Sequence, residues 1–359
     1  MNKLKEKHST KELKEDKKID NKPKNKERKL GLDIIRTIAI LCVFTVHGIA
    51  YKGVLDAEQL SLKWTVFVAI RFFAMISVPL FLLLTGYLNN KKDISKKYYK
   101  GIIPLLISYI AISLVEIIGT AAVTGDTINW HESILNIFNF TANGYAWYFE
   151  MYIGLFLLIP FLNKLYDALK DKKEKIVLVI SLVVLTFLPN IFKSFTISER
   201  TLDLMPDYWQ IIYPITYFYI GKFIKETKPN FKLLHRIFFV IGALAIPCTF
   251  CYIYSTPTQY AWFIFNGFEA LTTALVAIAV FILFYDFEYK IPVFGRFISE
   301  ISICSFEMYL FSSIWDKYLY NKLNYNMFLM IPLVAIATYI SAKIWITARD
   351  IILKRILKN

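Results

Sequence analysis

The sequence is dominated by apolar blocks of roughly 17–25 residues, recurring from Leu32 to about residue 348. A helix of that length spans about 30 Å of hydrocarbon. Inside lipid every backbone N–H and C=O must find its partner within the protein, so such blocks fold as helices. Ten can be counted: 32–50, 64–88, 101–121, 147–163, 176–192, 209–224, 236–255, 258–284, 298–316 and 327–348. The expected fold is all-α, a polytopic membrane protein with ten transmembrane helices. The composition, 56% hydrophobic and 17% aromatic, agrees.

Charge placement gives the orientation. A net charge of +14 would suggest nucleic acid in a soluble chain. Here the cations collect in alternate connections. With the N-terminus in the cytoplasm, inside segments hold 33 of the 42 Lys and Arg and outside segments hold 6. Arg36, Arg71 and Lys343 fall within helices. An error of one helix would scramble this split. Both termini are therefore expected in the cytoplasm, with membrane lipid and not nucleic acid as partner. Residues 1–31 carry 12 of the cations and almost no aromatics, a composition that cannot bury a core. They are expected to form a disordered Lys-rich cytoplasmic tail, with no cleaved signal peptide. The membrane domain is expected over 32–348 and a short basic cytoplasmic tail over 349–359.

The first helix, "LDIIRTIAILCVFTVHGIAY", carries Asp33, Arg36 and His47. At 100° per residue all three fall within an arc of about 60°. Such a stripe on an apolar helix faces the bundle interior or a wet cavity. Asp33 and Arg36 are i,i+3 neighbours at the cytoplasmic rim and are expected to pair. His47 lies 14 residues further, about 21 Å higher. The second helix, "WTVFVAIRFFAMISVPLFLLLTGYL", places Arg71 at a similar depth, and Pro79 should kink it. A guanidinium there needs an acid, a phosphate or water. Glu116, Glu150, Glu269 and Glu307 are the further acids in or at the ends of helices. Glu307 and Glu269 are candidates to neutralise Arg71 or orient His47. Structural pairing with a buried cation is at least as good a reading of each.

Other signals exclude. Cys248 and Cys251 form a C-x-x-C, but with no second pair and no nearby His they read as packing residues, like Cys42 and Cys304. No phosphate-binding G-x-x-x-x-G-K-[ST] and no G-x-S-x-G nucleophile elbow occur. Four scattered His residues offer no metal cluster.

Together these stretches resemble the acyltransferase-3 family of integral membrane acyltransferases. Arg36 and His47 stand at the family's spacing in helix one. "RFFAMISVPLFLLLTGYL" supplies Arg71, Pro79, Phe81, Gly86 and Tyr87, with Thr85 where Ser is usual. "AWYFEMYIGLFLLIPFL" is similar to a Trp-Phe segment through Trp147, Tyr148, Gly154 and Pro160, and "FEMYLFSSIWD" to a late segment through Tyr309 and Leu310. Ser312 stands where many members have His, so no catalytic role transfers there. The extracytoplasmic esterase-like domain of many glycan-modifying members is not seen.

The resemblance implies a bacterial multi-pass plasma-membrane enzyme. It would move an acyl group, acetyl being the expected one, from cytoplasmic acyl-CoA to a hydroxyl of a cell-surface or lipid-linked glycan. Acyl-CoA is then a co-substrate, and no bound cofactor is expected. Acyl transfer needs a base or a nucleophile, and imidazole, titrating near neutrality, serves as either. His47 takes that role. Arg71 suits the oxyanion or a donor phosphate. Arg36, oriented by Asp33, suits donor entry. Glu150 and Trp147 stand on the acceptor side, with Glu307 and Glu269 as supporting acids. The alternative is an exporter or flippase for polysaccharide or lipid-linked sugar, since some members of the superfamily are described so.

Overall fold

The computed structural model describes residues 29–51, 60–193, 196–197, 200–201, 207–256, 266–288, 292–323 and 325–356. Residues 1–28 of the expected tail lie outside the described residues. The elements in order are α1 (Leu30–Tyr51), α2 (Leu62–Ala74), α3 (Ser77–Leu88), α4 (Lys96–Tyr99), α5 (Ile103–Thr124), α6 (Trp130–Phe138), α7 (Trp147–Ala168), α8 (Lys172–Lys193), α9 (Tyr213–Thr227), α10 (Leu233–Tyr254), α11 (Leu271–Phe284), α12 (Pro292–Lys322) and α13 (Met327–Ile356). A two-residue antiparallel pair, Thr196–Ile197 with Arg200–Thr201, is the one strand pairing among the described residues.

Among the described residues eight stretches are long and apolar enough to cross a membrane: α1, α2 with α3, α4 with α5, α7, α8, α10, α12 and α13. The other two expected spans are shorter helices. The segment expected at 209–224 begins as a 3-10 turn over Asp207–Ile212, and α9 starts where Pro214 fits the first helical turn. Of the segment expected at 258–284, the described part is helical over Leu271–Phe284. Residues 266–270 form a turn in which Ala270 N–H donates to Gly267 C=O, and 257–265 lie outside the described residues. The loop expected at 122–146 contains a further helix, α6. The tail expected at 349–359 is helical to Ile356, because α13 continues unbroken.

Outward faces confirm the solvent. Ile336, Ile340 and Ile344 of α13 are 58%, 52% and 67% exposed, one i,i+4,i+8 stripe that water would not tolerate. This is a multi-pass membrane protein.

The helix around Arg71 is broken at Met75–Ile76, between α2 and α3. Pro79 has no N–H for the Met75 carbonyl, four residues back, and its ring crowds that turn. Below the break, α3 crosses α9 with the two backbones in contact. A Cβ on Gly86 would sit 1.9 Å from the Phe218 carbonyl oxygen, and one on Gly221 2.2 Å from the Leu83 oxygen. Close crossings of this kind need residues without side chains. Gly86→Ala should therefore separate α3 from α9 and destabilise the fold by about 1–3 kcal/mol or more, read as an earlier thermal transition in detergent.

Helix α1 is the central post. Leu32, Ile35, Ala39 and Cys42 pack into a core shared with α3, α9 and α11. Ile40, Val43 and Phe44 pack into a second core with α5, α7, α12 and α13. The polar stripe of α1 meets α12, which runs parallel to it in constant register. Ser302 meets Asp33 and Asp316 meets His47, an offset of 269 residues in each case. Small residues on α12, including Ser302, Ser305, Ser312 and Ser313, allow the approach.

Candidate active site

At one end of the α1–α12 seam, Asp33 accepts hydrogen bonds from Ser299 (2.8 Å) and Ser302 (2.7 Å). Arg36 Nη1 donates to the same Ser302 oxygen at 3.1 Å. Ser302 thus joins the two charges: it donates to the acid and accepts from the base. Sequence spacing suggested the i,i+3 proximity, but the bridging hydroxyl comes from another helix.

Arg36 lines two adjoining cavities. One, about 910 Å³, lies at the Leu30 end and is ringed by Lys29, Arg36, Lys91 and Lys225. The other, about 240 Å³, lies deeper between α1, α3, α5, α7 and α12, and is lined by Tyr148, Tyr152 and Tyr309. Arg36, Leu88 and Ser305 border both, so the basic mouth leads into a tyrosine-lined interior.

At the far end of the seam His47 Nδ1 lies 2.9 Å from Asp316 Oδ2. Tyr145 donates its hydroxyl to that same oxygen at 2.9 Å. Its ring stacks on the imidazole, with centroids 3.8 Å apart. Tyr309 closes the arrangement by donating to the Tyr145 backbone carbonyl. Tyr145 packs against both His47 and Tyr309, so Tyr309 and Tyr145 connect the wall of the deep cavity to the imidazole. Tyr145 precedes α7, outside the spans; burial and the Asp316 charge push its hydroxyl up, keeping it a donor.

Asp316 is fully buried, and among the described residues its Oδ1 has no hydrogen-bond partner. A carboxylate accepts, so the Nδ1 proton points to Asp316 and Nε2 keeps its lone pair. That is the tautomer a general base or nucleophile needs. Asp316 and Tyr145 were not singled out by sequence reasoning. The signal available was slight: Asp316 ends the apolar stretch "FEMYLFSSIW" on the Ser302–Ser305–Tyr309 face.

The other candidates separate. Among the described residues, no hydrogen bond or ion pair joins Arg71, one turn before the α2–α3 break, to His47, Asp316 or Tyr145. Glu307 neither orients His47 nor meets Arg71. It takes Arg349 at 2.5 Å and Ser108 at 3.0 Å. Arg349 reaches it because α13 runs past the expected end of the membrane domain. Glu269 accepts from Asn190 at 3.3 Å, and not from Arg71. Beside it Trp147 stacks on Phe268, 5.5 Å between centroids. Glu150 is exposed in the first turn of α7.

A parallel helix pair carries an Asp33–Ser302–Arg36 link at one end and an imidazole–carboxylate pair at the other, inside a multi-pass membrane protein. A family model described as an acyltransferase domain matches residues 29–346, and the chain belongs to the acyltransferase-3 family. No curated protein and no solved structure matches it.

Proposed function

We propose that this protein is an O-acyltransferase of the bacterial plasma membrane, moving an acetyl group from cytoplasmic acyl-CoA to a hydroxyl of an extracytoplasmic glycan or glycan precursor. The observation that carries the reading is the His47–Asp316–Tyr145 cluster at the far end of a seam whose near end opens into a basic cavity.

The donor's phosphates suit the ring of Lys29, Arg36, Lys91 and Lys225 at the mouth, taken as the cytoplasmic end. The acyl-bearing arm then extends through the tyrosine-lined cavity toward Tyr145. As base, His47 Nε2 takes the acceptor hydroxyl proton while that oxygen attacks the thioester carbonyl. The C–S bond breaks as the tetrahedral intermediate collapses, and the imidazolium returns the proton to the thiolate. Asp316 stabilises the imidazolium between the two steps. As acyl carrier, the same Nε2 would attack the thioester first and expel the CoA thiolate; the acceptor hydroxyl would then displace the imidazole from the acyl carbon, its proton passing to the thiolate. Arg71 keeps the oxyanion role as the candidate from sequence alone. Trp147 and Glu150 keep an acceptor-side role on the same basis.

The test is transfer of labelled acetyl from acetyl-CoA by the purified protein to a cell-wall glycan fraction. An exporter needs no ordered His–Asp pair; glycan movement across vesicles without any use of acetyl-CoA would establish that alternative. Donor binding has its own check. Lys91→Ala with Lys225→Ala should raise the KM for acetyl-CoA by about tenfold and flatten its salt dependence, leaving kcat little changed. An unchanged KM would remove the basic mouth from the donor site.

A further inference from the structure

A third cavity, about 390 Å³, lies between the end of α5 and α6, with Lys317, the neighbour of Asp316, in its lining. We propose that it is the subsite for an uncharged saccharide segment of the acceptor, and that α6 forms its membrane-seated wall. This rests on the acyltransfer reading for its purpose, but not for its chemistry.

The lining is hydroxyl, amide and carboxylate: Thr120, Thr124, Asn129, Glu132, Ser133 and Asn136 contribute. Lys317 is its one ammonium group, and Glu116 already binds it at 2.6 Å. With Asp126, Glu116 and Glu132 around one paired lysine, the field repels phosphates and carboxylates. The acyl-CoA donor is thereby excluded. Among the described residues no three potential ligands gather to hold a metal ion. A neutral polyol, which both donates and accepts hydrogen bonds, matches this lining.

Helix α6 divides its two faces accordingly. Asn129, Glu132, Ser133 and Asn136 fall within an arc of about 100° and face the cavity. On the opposite arc Trp130, Ile134 and Phe138 are 50%, 50% and 74% exposed. Nine residues cannot span a bilayer, and an amphipathic helix with exposed Trp and Phe lies in the interface. Its position is held by Tyr109, which donates to the Ile137 carbonyl at 2.7 Å. The cavity therefore opens beside the lipid headgroups.

The wall is continuous with the catalytic cluster. Glu116 takes Lys317 and Ser313 on one oxygen and Asn143 on the other. Lys317 follows Asp316, and Asn143 stands two residues before Tyr145. A sugar held here is linked to His47 through Lys317 and Asp316 on α12 and through Asn143 and Tyr145 before α7.

Saturation-transfer NMR on the full chain in detergent tests the subsite, with chitotetraose and maltotetraose as probes. At least one should bind wild type and His47→Ala equally. Thr120→Trp, which fills the cavity, and Glu132→Ala, which removes a rim acceptor, should each lower that signal by about fivefold or more, while acetyl-CoA binding stays within about twofold. Failure of both sugars to bind wild type, or an undiminished signal in both variants, overturns the subsite. Saccharide binding of this kind without any acyl transfer would sink the acyltransferase reading and leave the subsite standing.

Discussion

His47→Ala is expected to lower acetyl transfer by about 10²- to 10⁴-fold, the range in which a positioned acid–base group contributes. The loss belongs in kcat and kcat/KM together, because the imidazole acts on the proton in flight and holds neither substrate in the ground state. Acetyl-CoA affinity should stay near wild type, since Arg36 of the basic mouth lies 11 residues down α1, about 17 Å away. The fold should survive, because the ring is stacked on Tyr145 and only partly buried, and alanine suits the helix. Rapid-quench transfer assays with a thermal unfolding control would check this. Full activity in a folded His47→Ala protein would remove His47 from the chemistry. His47→Gln is the sharper companion, since it keeps a hydrogen bond to Asp316 but supplies no base.

Asp316→Asn carries the second large effect. The carboxylate accepts from both His47 Nδ1 and the Tyr145 hydroxyl on one oxygen. An amide offers either its oxygen or an N–H to the imidazole. If it turns its N–H, Nδ1 must accept, the proton moves to Nε2 and the base is lost. If it turns its oxygen, the tautomer survives without a charge to stabilise the imidazolium. Transfer should fall by about 10²- to 10⁴-fold either way, with donor KM unchanged. Stability should hold or rise, because the native carboxylate is fully buried with an unpartnered Oδ1. Opposite movements of activity and stability mark a group kept for chemistry. A variant that loses activity only in proportion to lost folded protein would make Asp316 structural instead.

Most helices were legible because their signal is local. An unbroken apolar block satisfies its own backbone, so its length alone predicts a span. The departures came where local chemistry interrupts a block. Pro79 opens the α2–α3 break three to four residues upstream, where its missing N–H is felt. Around Gly267 a turn stands within the segment expected as one helix over 258–284. α6 is not legible in the same way because nine residues are too short for a span and its loop reads as polar overall.

The site divides along the same line. By itself the sequence determined that this chain lives in a membrane, that its first helix carries a costly stripe of Asp33, Arg36 and His47, and that the stripe faces inward, because helical phase and hydrocarbon length are properties of short segments. Only the tertiary structure decided what the stripe meets. Asp316, 269 positions away, becomes the partner of His47 because α12 packs parallel to α1 in constant register. Glu307, which helical depth alone offered to His47, is taken by Arg349 instead. Partner choice in a low-dielectric interior is settled by which groups come within hydrogen-bond reach, and no spacing along one chain encodes the packing of two distant helices.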